Sequence, residues 1–346
     1  MASTISIDKF IELSDIYPVV DVRSPSEYAR GHIPGAFNIP LFSDEERAAV
    51  GTKYVREGRQ QAVRLGLELV APKLNWFVDS LSSMVNQKNI LVYCWRGGMR
   101  SASMSWLFGL AGFKPFTLEG GYKSFRLYAQ AAFDRKYKFI VLGGMTGCGK
   151  TELLKKLKEN GEQVVDLEGL ANHKGSAFGW INQPQQPTTE HFENLLFNEL
   201  RKLNPALPIW IEDESKSIGS IFIPLSIYNQ IISSPTIVVE TDLKNRIDRL
   251  INDYTACDKQ DLINSVVRIQ KRLGLEKAKR CIEYIESGNL RDAIAITLEY
   301  YDKTYRYGIE QKKIPPKFLT FDGTSNDMIV KLTSVGKSIT HPAFPD

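Results

Sequence analysis

The chain has 346 residues, of which 43% are hydrophobic and 24% charged, with a formal net charge of +4. That length suits two domains of roughly 150 residues better than one. The composition excludes a disordered or fibrous protein, and without an apolar run near the roughly 20 residues of a bilayer span it points away from a membrane protein. The start MASTISIDKF lacks a basic stretch followed by an apolar one, so a cytoplasmic location is expected. The charge is uneven: Met1 to Lys138 carries 18 Lys+Arg against 13 Asp+Glu, and the remainder 26 against 27. Cys94, Cys148, Cys257 and Cys281 form no C-x-x-C pair, which argues against a disulfide framework or a zinc ribbon.

In chain order, PVVDVR reads as a strand, SPSEYARGHIPGA as helical, and the region around Trp76 and Phe77 as a longer helical stretch. NILVYC, a polar loop, SASMSWLFGLAGF and PFTLEGG then repeat the strand-to-helix alternation. Short β-branched runs followed by helical periodicity predict βα units around a mainly parallel sheet. A second series opens at KFIVLGG, with TELLKKLKEN as a helix that Gly161 ends and QVVDLEG, PIWIED and TIVVET as further strands. From Lys244 onward the pattern reads as mostly helical. The expected division is 1–133 and 134–346, each part α/β, the second with a helical C-terminal region.

Gly144 to Thr151, GMTGCGKT, matches G-x-x-x-x-G-K-[ST] between a strand and a helix. Gly144, Gly147 and Gly149 let backbone N–H groups curl around a phosphate, Lys150 reaches outer phosphates, and Thr151 is placed to ligate magnesium. Asp213, with Glu212 as rival, is the acidic strand end expected to help hold Mg²⁺ through water. The motif names the ligand class and leaves the reaction open.

VYCWRGGMRS places Cys94 between a strand and a helix. Arg96, Arg100 and a helix N-terminus would favour a thiolate or an anionic adduct there, while Gly97 and Gly98 permit the tight curl. The spacing is also C-x-x-x-x-x-R, so a phosphatase competes with a sulfur carrier. Tyr93 before the cysteine, and the lack of an aspartic general acid nearby, weigh against the phosphatase.

DVRSPSEYARGHIPGAFNIP, the cysteine loop and LEGGYKSFR resemble the three signatures of a rhodanese domain, in order. With CWRGGMRS, GGMTGCGKT and DLEGLANHKGSAFG, the whole chain is similar to the tRNA 2-selenouridine synthase family. The resemblance implies a rhodanese-like α/β domain joined to a P-loop NTPase-like one. It also implies conversion of wobble 2-thiouridine to 2-selenouridine with selenophosphate from a supplying enzyme, by way of S-geranylation with geranyl diphosphate. Cys94 would then be the rhodanese-loop residue, and Lys150 and Thr151 with the loop glycines would hold diphosphate.

Several further residues carry expectations. His173, Lys174 and Ser176 sit in a small-residue turn suited to diphosphate or tRNA phosphates, and Asp166 stays unassigned. Arg246 and Arg249 lie one helical turn apart, where lid arginines could neutralise diphosphate. Arg268, Lys271, Arg272, Lys279 and Arg280 recur at spacings that can share one basic face for tRNA. Tyr300, Tyr301, Tyr305 and Tyr307 could stack on unpaired anticodon bases.

Overall fold

The fold follows from two sets of apolar strands, each covered on both faces by amphipathic helices. The computed structural model describes residues 3–310, 312, 314–321 and 325–339 and divides into two units. Unit 1 is Met1–Ala132 with Glu193–Phe197, and unit 2 is Phe133–Phe192 with Asn198–Asp346.

Unit 1 runs β1 (Ser3–Ile5), α1 (Ile7–Leu13), β2 (Val19–Asp21), α2 (Pro25–Arg30), β3 (Phe37–Asn38), α3 (Asp44–Glu57), α4 (Arg59–Val70), α5 (Leu74–Met84), β4 (Asn89–Tyr93), α6 (Met99–Leu110), β5 (Lys114–Leu118) and α7 (Gly121–Ala132). Its five strands are parallel in the order β1-β5-β4-β2-β3. A parallel strand buried on both faces needs an unbroken apolar run, and Ile90, Leu91 and Val92 of β4 are fully buried. Phe77 and Leu81 of α5 and Phe108 of α6 pack with Val20, Ile90 and Val92 into one core. β1 is an added edge strand that the opening residues had not suggested.

Unit 2 runs β6 (Lys138–Gly144), α8 (Lys150–Glu159), β7 (Gln163–Val165), α9 (Leu167–Ala171), α10 (Thr189–Leu200), β8 (Pro208–Glu212), β9 (Ser217–Ile218), β10 (Ile221–Phe222), α11 (Leu225–Ile232), β11 (Thr236–Glu240), α12 (Leu243–Tyr254), α13 (Lys259–Leu273), α14 (Leu275–Glu286), α15 (Leu290–Glu310), β12 (Lys317–Thr320) and α16 (Ser325–Ser338). Its main sheet is also parallel, ordered β12-β11-β6-β8-β7. Gly161, with φ of 85°, follows the α8 cap Asn160 and stops that helix as expected. β12 departs from the helical expectation for the C-terminal region: KFLT is short and half-polar, and becomes a strand only because β11 offers it a free edge.

A second core of Phe178, Ile181, Leu262, Val266, Ile269 and Cys281 joins the segment after α9 to α13 and α14. No helix among the described residues is long and apolar enough to cross a membrane. All four cysteines are free thiols.

Candidate functional site

In unit 1, β4 ends at Tyr93 and α6 begins at Met99, so Cys94 opens a five-residue loop under a helix N-terminus. Cys94 is 3% exposed, with its Sγ 3.2 Å from Ser101 Oγ. The loop is tied down by backbone: the N–H groups of Tyr122 and Lys123 donate to the carbonyls of Cys94 and Trp95 at 2.8 and 3.0 Å. Gly121 makes that approach possible, since a Cβ there would lie 2.3 Å from the Cys94 carbonyl oxygen and 2.4 Å from Gly97 N. Gly97 (φ 65°) is equally closed, 2.5 Å from the Leu118 carbonyl, whereas Gly98 has open space.

The two loop arginines part company. Arg96 is exposed, and Arg100 is held by Glu27 through Nη1 at 2.6 Å and Nη2 at 3.4 Å. Arg100 therefore shares its charge with a carboxylate, and this differs from the expectation that both guanidinium groups serve an anion at the sulfur. Glu27 also accepts from the Ser24 N–H that caps α2. Burial raises its pKa, but the Arg100 hydrogen bonds and charge, helped by Ser24 and Arg47, outweigh that and hold the carboxyl below its ordinary value. The DVR signature is structural. Arg23, 1% exposed, donates to Asp21 and to the Gly31 carbonyl and lies 3.8 Å over the Tyr122 ring. Asn194, fully buried, donates to Tyr122 OH and the His32 carbonyl, which joins Glu193–Phe197 to this unit.

In unit 2, Gly144 to Thr151 forms the loop between β6 and α8. Gly147 (φ 82°) and Gly149 (φ 91°) are left-handed; a Cβ at Gly149 would meet the Arg249 guanidinium at 2.9 Å. Lys150 Nζ donates to the Gly144 carbonyl at 2.8 Å. Burial lowers its pKa, but the charges of Cys148, Glu168, Glu214 and Glu212 more than offset this and keep the ammonium protonated. Thr151 Oγ1 lies 3.5 Å from Glu168 Oε2.

The loop borders a cavity of about 610 Å³. Its lining combines polar groups, the P-loop with Glu168, Ser176, Asp213 and Glu214, and apolar or aromatic ones, Phe178, Ile181, Leu250, Tyr254 and Tyr301. Lys174 also lines it, 3.9 Å from Asp253. Burial, followed by the Glu168 charge, pushes the carboxyls of Glu212 and Glu214 well above the ordinary range.

Other expected residues stand elsewhere. Glu212 is fully buried, with Oε2 accepting from Glu168 N at 2.8 Å, Oε1 unpartnered, and no part in lining the cavity. Asp166 caps α9 through Gly169 N. His173 is 6% exposed, does not line the cavity, and has a pKa lowered by burial and then by Arg268. Arg246 is a clamp and not a free cation: Nε donates to the Thr146 carbonyl at 2.8 Å, and both Nη atoms hold Asp302 at 2.9 and 2.6 Å. Arg249 Nη1 donates to the Gly147 carbonyl at 3.0 Å.

Asp213 has both oxygens engaged, Oδ1 by Lys312 Nζ at 2.6 Å and Oδ2 by Tyr305 OH at 3.2 Å. Tyr305 OH accepts from Gly144 N at 2.7 Å, and Tyr301 OH from Ala177 N at 2.9 Å, so both phenols brace backbone. Tyr300 packs on Tyr301, and Tyr307 is exposed. Gly274 (φ 95°) splits the expected single basic helix into α13 and α14. Arg268 there lies 4.7 Å over Trp180, while Lys271, Arg272, Lys279 and Arg280 are exposed.

Glu27, Ser101, Gly121, Glu168, Glu214, Asp302 and Lys312 were not singled out by sequence. Glu27, Ser101, Gly121 and Glu168 had a signal, as parts of the DVRSPSEYARGHIPGAFNIP, CWRGGMRS, LEGGYKSFR and DLEGLANHKGSAFG stretches.

A family model described as tRNA 2-selenouridine synthase AAA domain matches residues 137–336, and a rhodanese-like domain matches 6–128. The chain belongs to the tRNA 2-selenouridine synthase family. A curated tRNA 2-selenouridine synthase of Sulfurovum sp. (strain NBC37-1) is 37% identical over 333 residues, covering 85% of this chain and 89% of that protein. Those of Psychromonas ingrahamii and Nitrosomonas europaea are 33% identical over 328 residues and 39% over 246, covering 85% and 68% of this chain and 88% and 63% of theirs. Among solved structures, a rhodanese-related protein from Thermoplasma volcanium is 21% identical, covers 36% of this chain and 92% of that one, and has a TM-score of 0.24. Membership in the family carries the α/β fold of both parts and the presence of a rhodanese domain ahead of the P-loop.

Proposed function

We propose that this chain is a cytoplasmic tRNA-modifying transferase that replaces the sulfur of a wobble 2-thiouridine by selenium, with selenophosphate as donor and an S-geranyl intermediate. The observation that carries the reading is the cavity beside the P-loop, whose lining includes both the phosphate-binding loop and aromatic and aliphatic side chains. A diphosphate ester with an apolar chain matches both kinds of lining. In the first step the thiocarbonyl sulfur attacks the carbon bearing diphosphate, the carbon–oxygen bond breaks, and diphosphate leaves with the electron pair. Lys150 and the N–H groups of the loop would hold that leaving group. Alkylation is what makes the sulfur expellable. The selenium of selenophosphate then adds to the same ring carbon, the geranyl thiolate departs and takes a proton from solvent, and water cleaves the phosphorus–selenium bond to release phosphate.

Cys94 with Ser101 would position the selenophosphate donor with no change of oxidation state, and exposed Arg96 would meet tRNA phosphate. The exposed Arg272 and Lys279 on α13 and α14 are further tRNA candidates. A phosphatase reading is disfavoured by the Arg100–Glu27 pair, because that chemistry needs the loop arginine on the phosphate.

The residues expected to hold magnesium do not suit it as placed. Thr151 faces Glu168 and Asp213 is paired with Lys312, and among the described residues no group of three or more His, Cys, Asp or Glu could hold a metal ion.

The decisive test is nucleoside mass spectrometry on a 2-thiouridine anticodon stem-loop incubated with the protein, with and without geranyl diphosphate and selenophosphate. A geranylated product that converts to 2-selenouridine when selenophosphate is added is the expected result. Unchanged thiouridine under every condition, from folded protein, would overturn the reading.

A further inference from the structure

Phosphate-binding loops of this kind ordinarily hold Mg²⁺ between the loop Ser/Thr and an acidic residue at the end of the neighbouring strand. Asp213 stands in that place: it directly follows β8, and its N–H donates to the Leu142 carbonyl of β6 at 3.1 Å. The ammonium of Lys312 occupies Oδ1 and also donates to Thr236 Oγ1 at 3.1 Å, while the Tyr305 phenol occupies Oδ2. The Lys312 and Asp213 side chains are only 12% and 13% exposed, which weakens solvent screening of their pair. Removing one member of a shielded pair is costly, which makes release of Asp213 unfavourable. The same Tyr305 hydroxyl takes the Gly144 N–H and fixes the mouth of the loop. Magnesium demands near-octahedral oxygen ligands at about 2.0–2.1 Å, and the Lys312 ammonium 2.6 Å from Oδ1 sets a positive charge where that ion or its bound water would have to approach.

We infer that this P-loop takes a diphosphate group without a divalent metal at Asp213, because Lys312 has replaced the metal as the partner of that carboxylate. The inference rests on the diphosphate reading of the cavity and goes beyond it by naming the state in which the ligand is taken: bare diphosphate, held by Lys150 and the loop N–H groups.

Calorimetric titration of the full chain with inorganic diphosphate, in EDTA and in excess magnesium, tests this without a variant. The expected dissociation constants agree within about twofold, a difference under about 0.5 kcal/mol. Lys312→Met frees Asp213 and should make binding at least about tenfold tighter with magnesium than without. The double variant Lys312→Met, Asp213→Asn removes both charges together, guards against a misfolded single variant, and should return binding to indifference. Binding by the unaltered chain that appears only with magnesium would overturn the inference alone. An absence of binding in both buffers would overturn the diphosphate reading together with it.

Discussion

Both candidate sites are loops between a parallel strand and a helix, yet they are built for opposite ends. In the cysteine loop the backbone closes down on itself: Gly97 and Gly121 meet main-chain atoms at 2.3 to 2.5 Å of where a Cβ would stand, and the sulfur lies buried on the floor. In the P-loop the closing contacts come from side chains outside, with Arg246, Arg249 and Tyr305 holding Thr146, Gly147 and Gly144, and the loop borders a cavity of about 610 Å³. One loop is shaped to surround a single atom, the other to receive a molecule. The lesson is that two glycine-rich loops of the same strand-to-helix kind differ in what braces them, main chain in one and distant side chains in the other.

The contrast can be broken in order of expected effect. Cys94→Ala should reduce 2-selenouridine to background by nucleoside mass spectrometry while leaving geranylation intact; normal selenation would remove the cysteine from the chemistry. Arg246→Ala should destabilise unit 2 by about 3–5 kcal/mol in denaturant unfolding, because it strands Asp302. A value near zero would show the P-loop clamp to be decorative. Gly121→Ala should cost about 2–4 kcal/mol, combining a left-handed φ of 61° with a clash at Cys94, and should disturb unit 1 alone.

Lys150→Ala should weaken diphosphate binding by about 10- to 100-fold, the worth of a charged hydrogen bond, with selenation of an already geranylated stem-loop unaffected. The smallest effect is in pH. The Glu27 carboxyl has a folded pKa below its unfolded one, so its pair with Arg100 stabilises fully above the unfolded value and loses that contribution as pH falls through the folded value. Unfolding measured from pH 7 down to 3 should show a loss of about 1 kcal/mol that Glu27→Gln removes.

Much of the architecture was legible because strand and loop signals are local. Runs such as NILVY and KFIVLGG carry no charged or amide side chain after their first residue, which suits a strand buried on both faces, and the P-loop carries its glycines at fixed offsets. β12 was illegible because KFLT has no such run; an open edge of the sheet recruits it. The basic stretch after Val266 was read as one surface because charge periodicity ignores a single glycine, and Gly274 turned it into two helices.

By itself, then, the sequence determined which backbone segments form glycine-rich loops between a strand and a helix and that Cys94 and Lys150 stand in them, since those properties depend on neighbours along the chain. Which charges remain available was decided only by tertiary structure. Arg100, Arg246 and Asp213 look alike in sequence to any free ion, and their partners Glu27, Asp302 and Lys312 lie 73, 56 and 99 residues away. A charge is neutralised by whatever stands within about 4 Å of it, and that distance is set by how strands and helices pack and not by their order.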